Sequence, residues 1–211
     1  MKKILIVLLF LLLCPIFVLA NCSNSGATVV FINGIFGKLA DARSDQENLA
    51  QYFKLKYPNE KVEFITGFNE SHLGGANDLA TAIIQAYGYE DLDYDLTTIL
   101  NQIHSQISTK KVLFVGHSQG SFYANAAYKY LIEHGARPES IGVYNVATPA
   151  SYTAANGEYI TSSTDKVINE TVRKLAEKSY AKVPLPANAN IELSAQEKAD
   201  KNGGHGFSSV Y

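Results

Sequence analysis

Residues 111–134 place a buried strand, a five-residue turn and a helix in immediate succession: KVLFV, then Gly116-His117-Ser118-Gln119-Gly120, then SFYANAAYKYLIEH. KVLFV is apolar at both alternating sets of positions, so both faces of the strand need cover, which is the pattern of a parallel sheet packed between helices. A serine at the apex of so tight a turn needs glycine two residues to either side, because side chains there would collide with the neighbouring strand and helix. The turn lifts the Ser118 hydroxyl above the C-terminal edge of the sheet. It also leaves the N–H of Gln119 at a helix N-terminus, where unsatisfied donors and the helix dipole favour a developing anion. Ala124, Ala126 and Ala127 let that helix lie close to the sheet. The pattern G-x-S-x-G by itself also fits a structural glycine turn; its place between strand and helix makes it a candidate site.

The rest of the chain alternates in the same way. Residues 28–32 (TVVFI), 62–66 (VEFIT), 140–146 (SIGVYNV) and 159–162 (YITS) read as further strands, and 45–57, 76–87, 92–107, 119–134 and 169–179 as helices. Strand, helix, strand in this order requires right-handed crossovers, hence an α/β three-layer sandwich with a mostly parallel central sheet. With 46% hydrophobic residues in 211 and no repeat or low-complexity tract, residues 21–211 are expected to form one domain. Residues 180–204 carry no clear pattern, although 190–193 admits a short strand.

Residues 1–20 read as an address. Lys2 and Lys3 precede an apolar run over 4–13, and Val18-Leu19-Ala20 offers small residues for cleavage, the layout of a secretory signal peptide. A membrane anchor is the alternative, but the run is short for a span and Pro15 interrupts it. Export to the periplasm or beyond is therefore expected. Cys22, just after the cleavage site, is a lipidation candidate. Cys14 and Cys22 alone build neither a disulfide-dense scaffold nor a Cys/His zinc site. The 18 Lys and Arg against 20 Asp and Glu, net −2 and unclustered, supply no nucleic-acid footprint. No residue set calls for a metal or an organic cofactor.

A serine hydroxyl is a poor nucleophile until a histidine takes its proton and a carboxylate orients that histidine. Sheets of this kind supply the two later in the chain, acid first. Asp165 follows the strand YITS, where an acid at a strand's C-terminal end belongs; an ordinary loop aspartate is the other reading. His205, in Gly203-Gly204-His205-Gly206-Phe207, is the only histidine after Asp165. His72 and His104 precede the serine, His117 lies in the turn with its ring directed away from Ser118, and His134 is roughly 22 Å along the helix. The second oxyanion donor is expected in the loop after TVVFI, Asn33-Gly34-Ile35-Phe36-Gly37. There the N–H of Ile35, or of Phe36, partners that of Gln119, unless the glycines only make a tight connection. Asn33 is placed to hydrogen-bond across that loop.

With these motifs in place, the chain resembles the α/β-hydrolase superfamily in a minimal version, on its lipase- and esterase-like branch. More narrowly it resembles exported bacterial hydrolases with N-G-I after the first strand, GHSQG, A-T-P-A as at 147–150 and G-H-x-F as at 204–207. The resemblance covers residues 28–206. It implies Ser118 as nucleophile, Asp165 as acid and His205 as base, Gln119 and Ile35 as oxyanion donors, and Gly116 and Gly120 as the glycines of the elbow. Asn33 stands where many relatives have histidine. The implied reaction is hydrolysis of a small-molecule or lipid carboxylic ester through an acyl-enzyme, with membrane contact only through the substrate or a lipidated Cys22. A thioesterase or amidase would use the same machinery. From a different class, a binding module that has lost catalysis would keep the same fold. Ile35, Phe36, Phe68 and Phe207 are expected near the mouth, and 67–96 as a partial cap.

Overall fold

The computed structural model describes residues 25–35, 37–70, 93–179 and 182–211. The expected leader over 1–20, Cys22, Phe36, the helix expected over 76–87 and most of the expected cap lie outside the described residues. Among the described residues, five strands form one sheet: β1 (Ala27–Ile32), β2 (Val62–Gly67), β3 (Val112–His117), β4 (Ile141–Val146) and β5 (Tyr159–Ile160), in the order β2-β1-β3-β4-β5. Every pairing is parallel. The helices are α1 (Leu39–Lys56), α2 (Asp93–His104), α3 (Gly120–Glu133), α4 (Arg173–Ser179), α5 (Ala195–Ala199) and α6 (Phe207–Val210).

β1 shows why three layers form. Successive side chains on a strand point to opposite faces. Val30 and Ile32 accordingly join Phe114, Ile141 and Val143 in a core closed by Leu96, Ile99 and Ile103 of α2 and by Tyr123, Ala124 and Ala127 of α3. Val29 and Phe31 join Val115 and Val146 in a second core on the other face, closed by Ile168, Val172 and Phe207. The sandwich and its parallel sheet are those expected from the apolar runs.

Element boundaries depart from expectation where side chains act on the backbone. α1 begins six residues before the expected 45 because the Asp41 carboxylate accepts the Lys38 N–H at 3.1 Å and caps it. Its first turns carry almost no apolar stripe, with only Ala42 and Ala50 buried, so periodicity had nothing to detect. It ends at Lys56, before Tyr57-Pro58, where proline disfavours helical geometry. β3 continues past Val115, since Gly116 and His117 still pair with Asn145 and Val146. The helix expected from 169 starts earlier, as a π-helical turn over Val167–Val172 leading into α4, because the Asp165 carboxylate accepts the Ile168 N–H at 3.0 Å.

β5 is shorter than 159–162. Past Ile160 the Asn188 side chain takes the Thr161 N–H at 2.9 Å, and only an isolated bridge, Ser162 to Ala189, continues the pairing. The strand entertained at 190–193 is absent for the same reason. The Ile191 N–H goes to the Ser162 hydroxyl at 3.1 Å, so a side chain holds this segment where a ladder would otherwise have done so.

Candidate active site

The registers bring three loops to one edge of the sheet. Ile32 of β1 lies beside Gly67 of β2 and Gly116 of β3, so Asn33, Asn69 and Ser118 emerge together. Ser118 has φ +54°, the left-handed region that costs a non-glycine residue energy and is held only where the surroundings over-determine it. Here its N–H donates to Val146 O at 2.9 Å and its carbonyl accepts the Ser121 N–H at 3.0 Å, pinning both sides of the turn. The flanking glycines are demanded by space. A Cβ on Gly116 would stand 2.6 Å from the Gly120 carbonyl oxygen, and one on Gly120 would stand 2.2 Å from that of Ile32.

The residues expected around Ser118 come together. His205 Nε2 lies 2.9 Å from Ser118 Oγ, and His205 Nδ1 lies 2.9 Å from Asp165 Oδ2. A carboxylate only accepts, so Nδ1 carries the ring proton and Nε2 has its lone pair toward the serine hydroxyl. The Asp165 side chain is fully buried while that of His205 is 18% exposed, so the carboxylate is sealed and the imidazole reaches the cavity. On the other side of Ser118, Ile35 and Gln119 line the same cavity. The loop carrying Ile35 is fixed by three buried side chains. Asn33 Nδ2 donates to Asn69 O at 3.0 Å, and Asn33 Oδ1 accepts the Asn69 N–H at 2.9 Å. Asn69 Nδ2 in turn donates to Gln119 Oε1 at 2.9 Å. Asn33 thus bonds across the loop as expected. Asn69 went unnoticed because its partners are 36 and 50 residues away, and only the β1–β2 register brings them together.

His117, set aside as the base in the sequence, contacts the loop that carries His205. Strand alternation puts it on the Val115 face, where its Nε2 donates to the His205 carbonyl at 2.8 Å and its ring packs 5.1 Å from that of His205 and 5.5 Å from Phe207. It therefore anchors the glycine loop that carries His205. Burial, and then the neighbouring His205, lower its pKa from 6.5 to about 3, so it stays a neutral donor. Above pH 6.5 the folded and unfolded chains both hold it neutral and the stability is complete. As pH falls from about 6.5 towards 3, the unfolded chain takes a proton that the folded one refuses, costing up to about 1.4 kcal/mol per pH unit. Urea unfolding at pH 7 and pH 4 is expected to show this loss in the wild type and a smaller one in His117→Gln. Equal losses would remove His117 from the account.

The cavity beside Ser118 has a volume of about 510 Å³. Pro149, Val167, Ile168 and Val172 give it an apolar lining, and Asp41, Ala42 and Asp45 of α1 line it as well. Ile35 and Phe207 line it as expected. Phe68 does not: it faces a separate hollow between α1 and α2, its N–H donated to Gln102 Oε1 at 2.8 Å. His134 is remote, its Nδ1 bonded to Tyr130 O at the end of α3.

The profile of the family described as lipase (class 3) matches residues 40–175, a stretch that includes the elbow and Asp165 and ends before His205. No curated protein matches the sequence significantly. Among solved structures the chain is similar to a cutinase-like protein from Cryptococcus sp., at 14% identity and TM-score 0.35, covering 60% of this chain and 57% of that one. It is also similar to an α/β serine hydrolase without a lid from Xanthomonas campestris, at 12% identity and TM-score 0.41, covering 80% and 73%. The chain thus spans less than two thirds of the length of the first.

Proposed function

This chain belongs to the class 3 lipase family, lipase/esterase-type hydrolases of the α/β-hydrolase superfamily, and on that premise we propose that it hydrolyses carboxylic esters through Ser118, His205 and Asp165. The observation that carries the reading is the continuous chain of two 2.9 Å hydrogen bonds from a fully buried carboxylate through an imidazole to a serine at a strained turn.

In the proposed reaction Ser118 Oγ attacks the ester carbonyl as its proton passes to His205 Nε2. The imidazolium is stabilised by the Asp165 carboxylate, and the N–H groups of Gln119 and Ile35 receive the oxyanion. The same proton then goes to the departing alcohol, leaving an acyl group on Ser118. Water, deprotonated by His205, releases the acid and restores the hydroxyl. The substrate is a small-molecule or lipid ester whose acyl chain lies along Val167, Ile168 and Val172. Residues 1–20 direct export and are removed, and a lipid on Cys22 would tether the product of that cleavage. Among the described residues, no helix is long and apolar enough to cross a membrane.

Fluorophosphonate capture of Ser118, followed by turnover of p-nitrophenyl esters of increasing chain length, tests the proposal. kcat/KM is expected to rise about fourfold per added methylene, equivalent to ~0.8 kcal/mol per buried CH₂, until the chain fills the cavity. Faster turnover of matched thioesters or amides would reassign the substrate while keeping the machinery. A folded protein that is neither labelled nor active would make it a binding module.

A further inference from the structure

We propose, building on the assignment of Ser118, His205 and Asp165 above, that Tyr211 is a positioning residue that tunes the basicity of His205 by sharing the Asp165 carboxylate oxygen with it. Asp165 Oδ2 receives two donors, His205 Nδ1 at 2.9 Å and the Tyr211 hydroxyl at 3.0 Å, while Oδ1 receives the Ile168 N–H. The direction of the phenol is determined by its other contact. The Ser162 N–H donates to the Tyr211 oxygen at 2.9 Å, so the hydroxyl proton is left for the carboxylate, which only accepts. Tyr211 is delivered by α6, whose Phe207 packs at 4.7 Å against Phe31 of β1, and its N–H bonds Phe207 O. The phenol is thus carried by the short helix that directly follows the glycine loop of His205, and that helix is docked on the sheet.

The consequence is electrostatic. Each donor drawn to Oδ2 spreads its charge, and a carboxylate so shared holds an imidazolium less tightly than one bonded to histidine alone. Asp165 is fully buried, so water does not blur this effect. Burial, with the Asp165 charge beside it, pushes the Tyr211 phenol above its ordinary range, which keeps it a donor. The other ionisable groups around the relay come from separate elements. His117 of β3 faces His205, and Asp41 and Asp45 of α1 line the same cavity. Glu197 of α5 accepts the Gly204 N–H, and the Lys166 ammonium is turned to the carbonyls of Lys198 and Asp200. None of these contacts involves the Tyr211 hydroxyl.

Two variants test this with opposite signs. Tyr211→Phe removes a donor, so the NMR titration midpoint of His205 and the acidic limb of kcat/KM for p-nitrophenyl butyrate are expected to move up by roughly half to one pH unit. Replacing Tyr211 by 3-fluorotyrosine keeps both hydrogen bonds with a more acidic phenol and is expected to move them down. If Tyr211→Phe fails to fold, the fluorinated variant decides alone. Midpoints unchanged from the wild type would overturn the inference. The NMR readout needs no turnover: an inactive wild type would defeat the ester proposal while leaving this one measurable, and an active wild type with unmoved midpoints would defeat only this one.

Discussion

Ester turnover is expected to fall roughly 10⁶-fold in His205→Ala and in Ser118→Ala, and hardly further when both are replaced. The two side chains share one proton along a single 2.9 Å hydrogen bond, so removing either leaves nothing for the other to do. What would survive is the contribution of the oxyanion donors and of binding. Asp165→Asn belongs to the same series, with a loss of about 10³ to 10⁴. An amide whose NH₂ faced Nδ1 would reverse the ring's tautomer and leave a proton on Nε2, where the lone pair is needed. Circular dichroism of each variant checks that the fold persists, and steady-state kinetics gives the ratio. A double variant much slower than either single one would mean that the two act separately and would break the relay.

The second large effect is on stability. Gly120→Ala is expected to lose about 3 kcal/mol or more and to lower Tm by roughly 6 to 12 °C, because the added methyl would meet backbone that cannot rotate away. Its Cβ would stand 2.2 Å from Ile32 O and 2.8 Å from Asn33 O, so β1 and α3 would have to separate. Gly142→Ala is the control: its Cβ would meet only the tip of Leu113, at 3.1 Å, and a side chain can give way. Thermal melts of the two should differ clearly. Equal Tm values would show that the elbow tolerates separation and that its glycines answer to some other need. The same methyl also presses on the carbonyl of Asn33, which opens the loop carrying Ile35, so residual folded Gly120→Ala should also turn over more slowly.

The parts of this site differ in how far the chain alone reveals them. The elbow was legible because its logic is local: a buried strand, two glycines around Ser118 and a helix lie within 24 consecutive residues. The layered sheet was legible for a similar reason, since two-faced apolar runs at 28–32 and 111–115 have one common solution. Asp165 and His205 were legible as an order along the chain. Their contact was not, because it joins residues 40 apart through the fold.

Periodicity and steric need within short windows are therefore enough for the fold class and for the place of Ser118 at its turn. Tertiary structure alone decided which groups support that serine. Asn69 reaches Asn33 and Gln119 only because β1 and β2 pair in one register, and Tyr211 reaches Asp165 only because α6 packs on Phe31. His117 faces the loop of His205 because β3 runs two residues past its apolar stretch. Such contacts depend on register and helix docking, which are set by the burial of many residues at once, and a side chain's partner across the fold leaves no mark on its own neighbours in sequence.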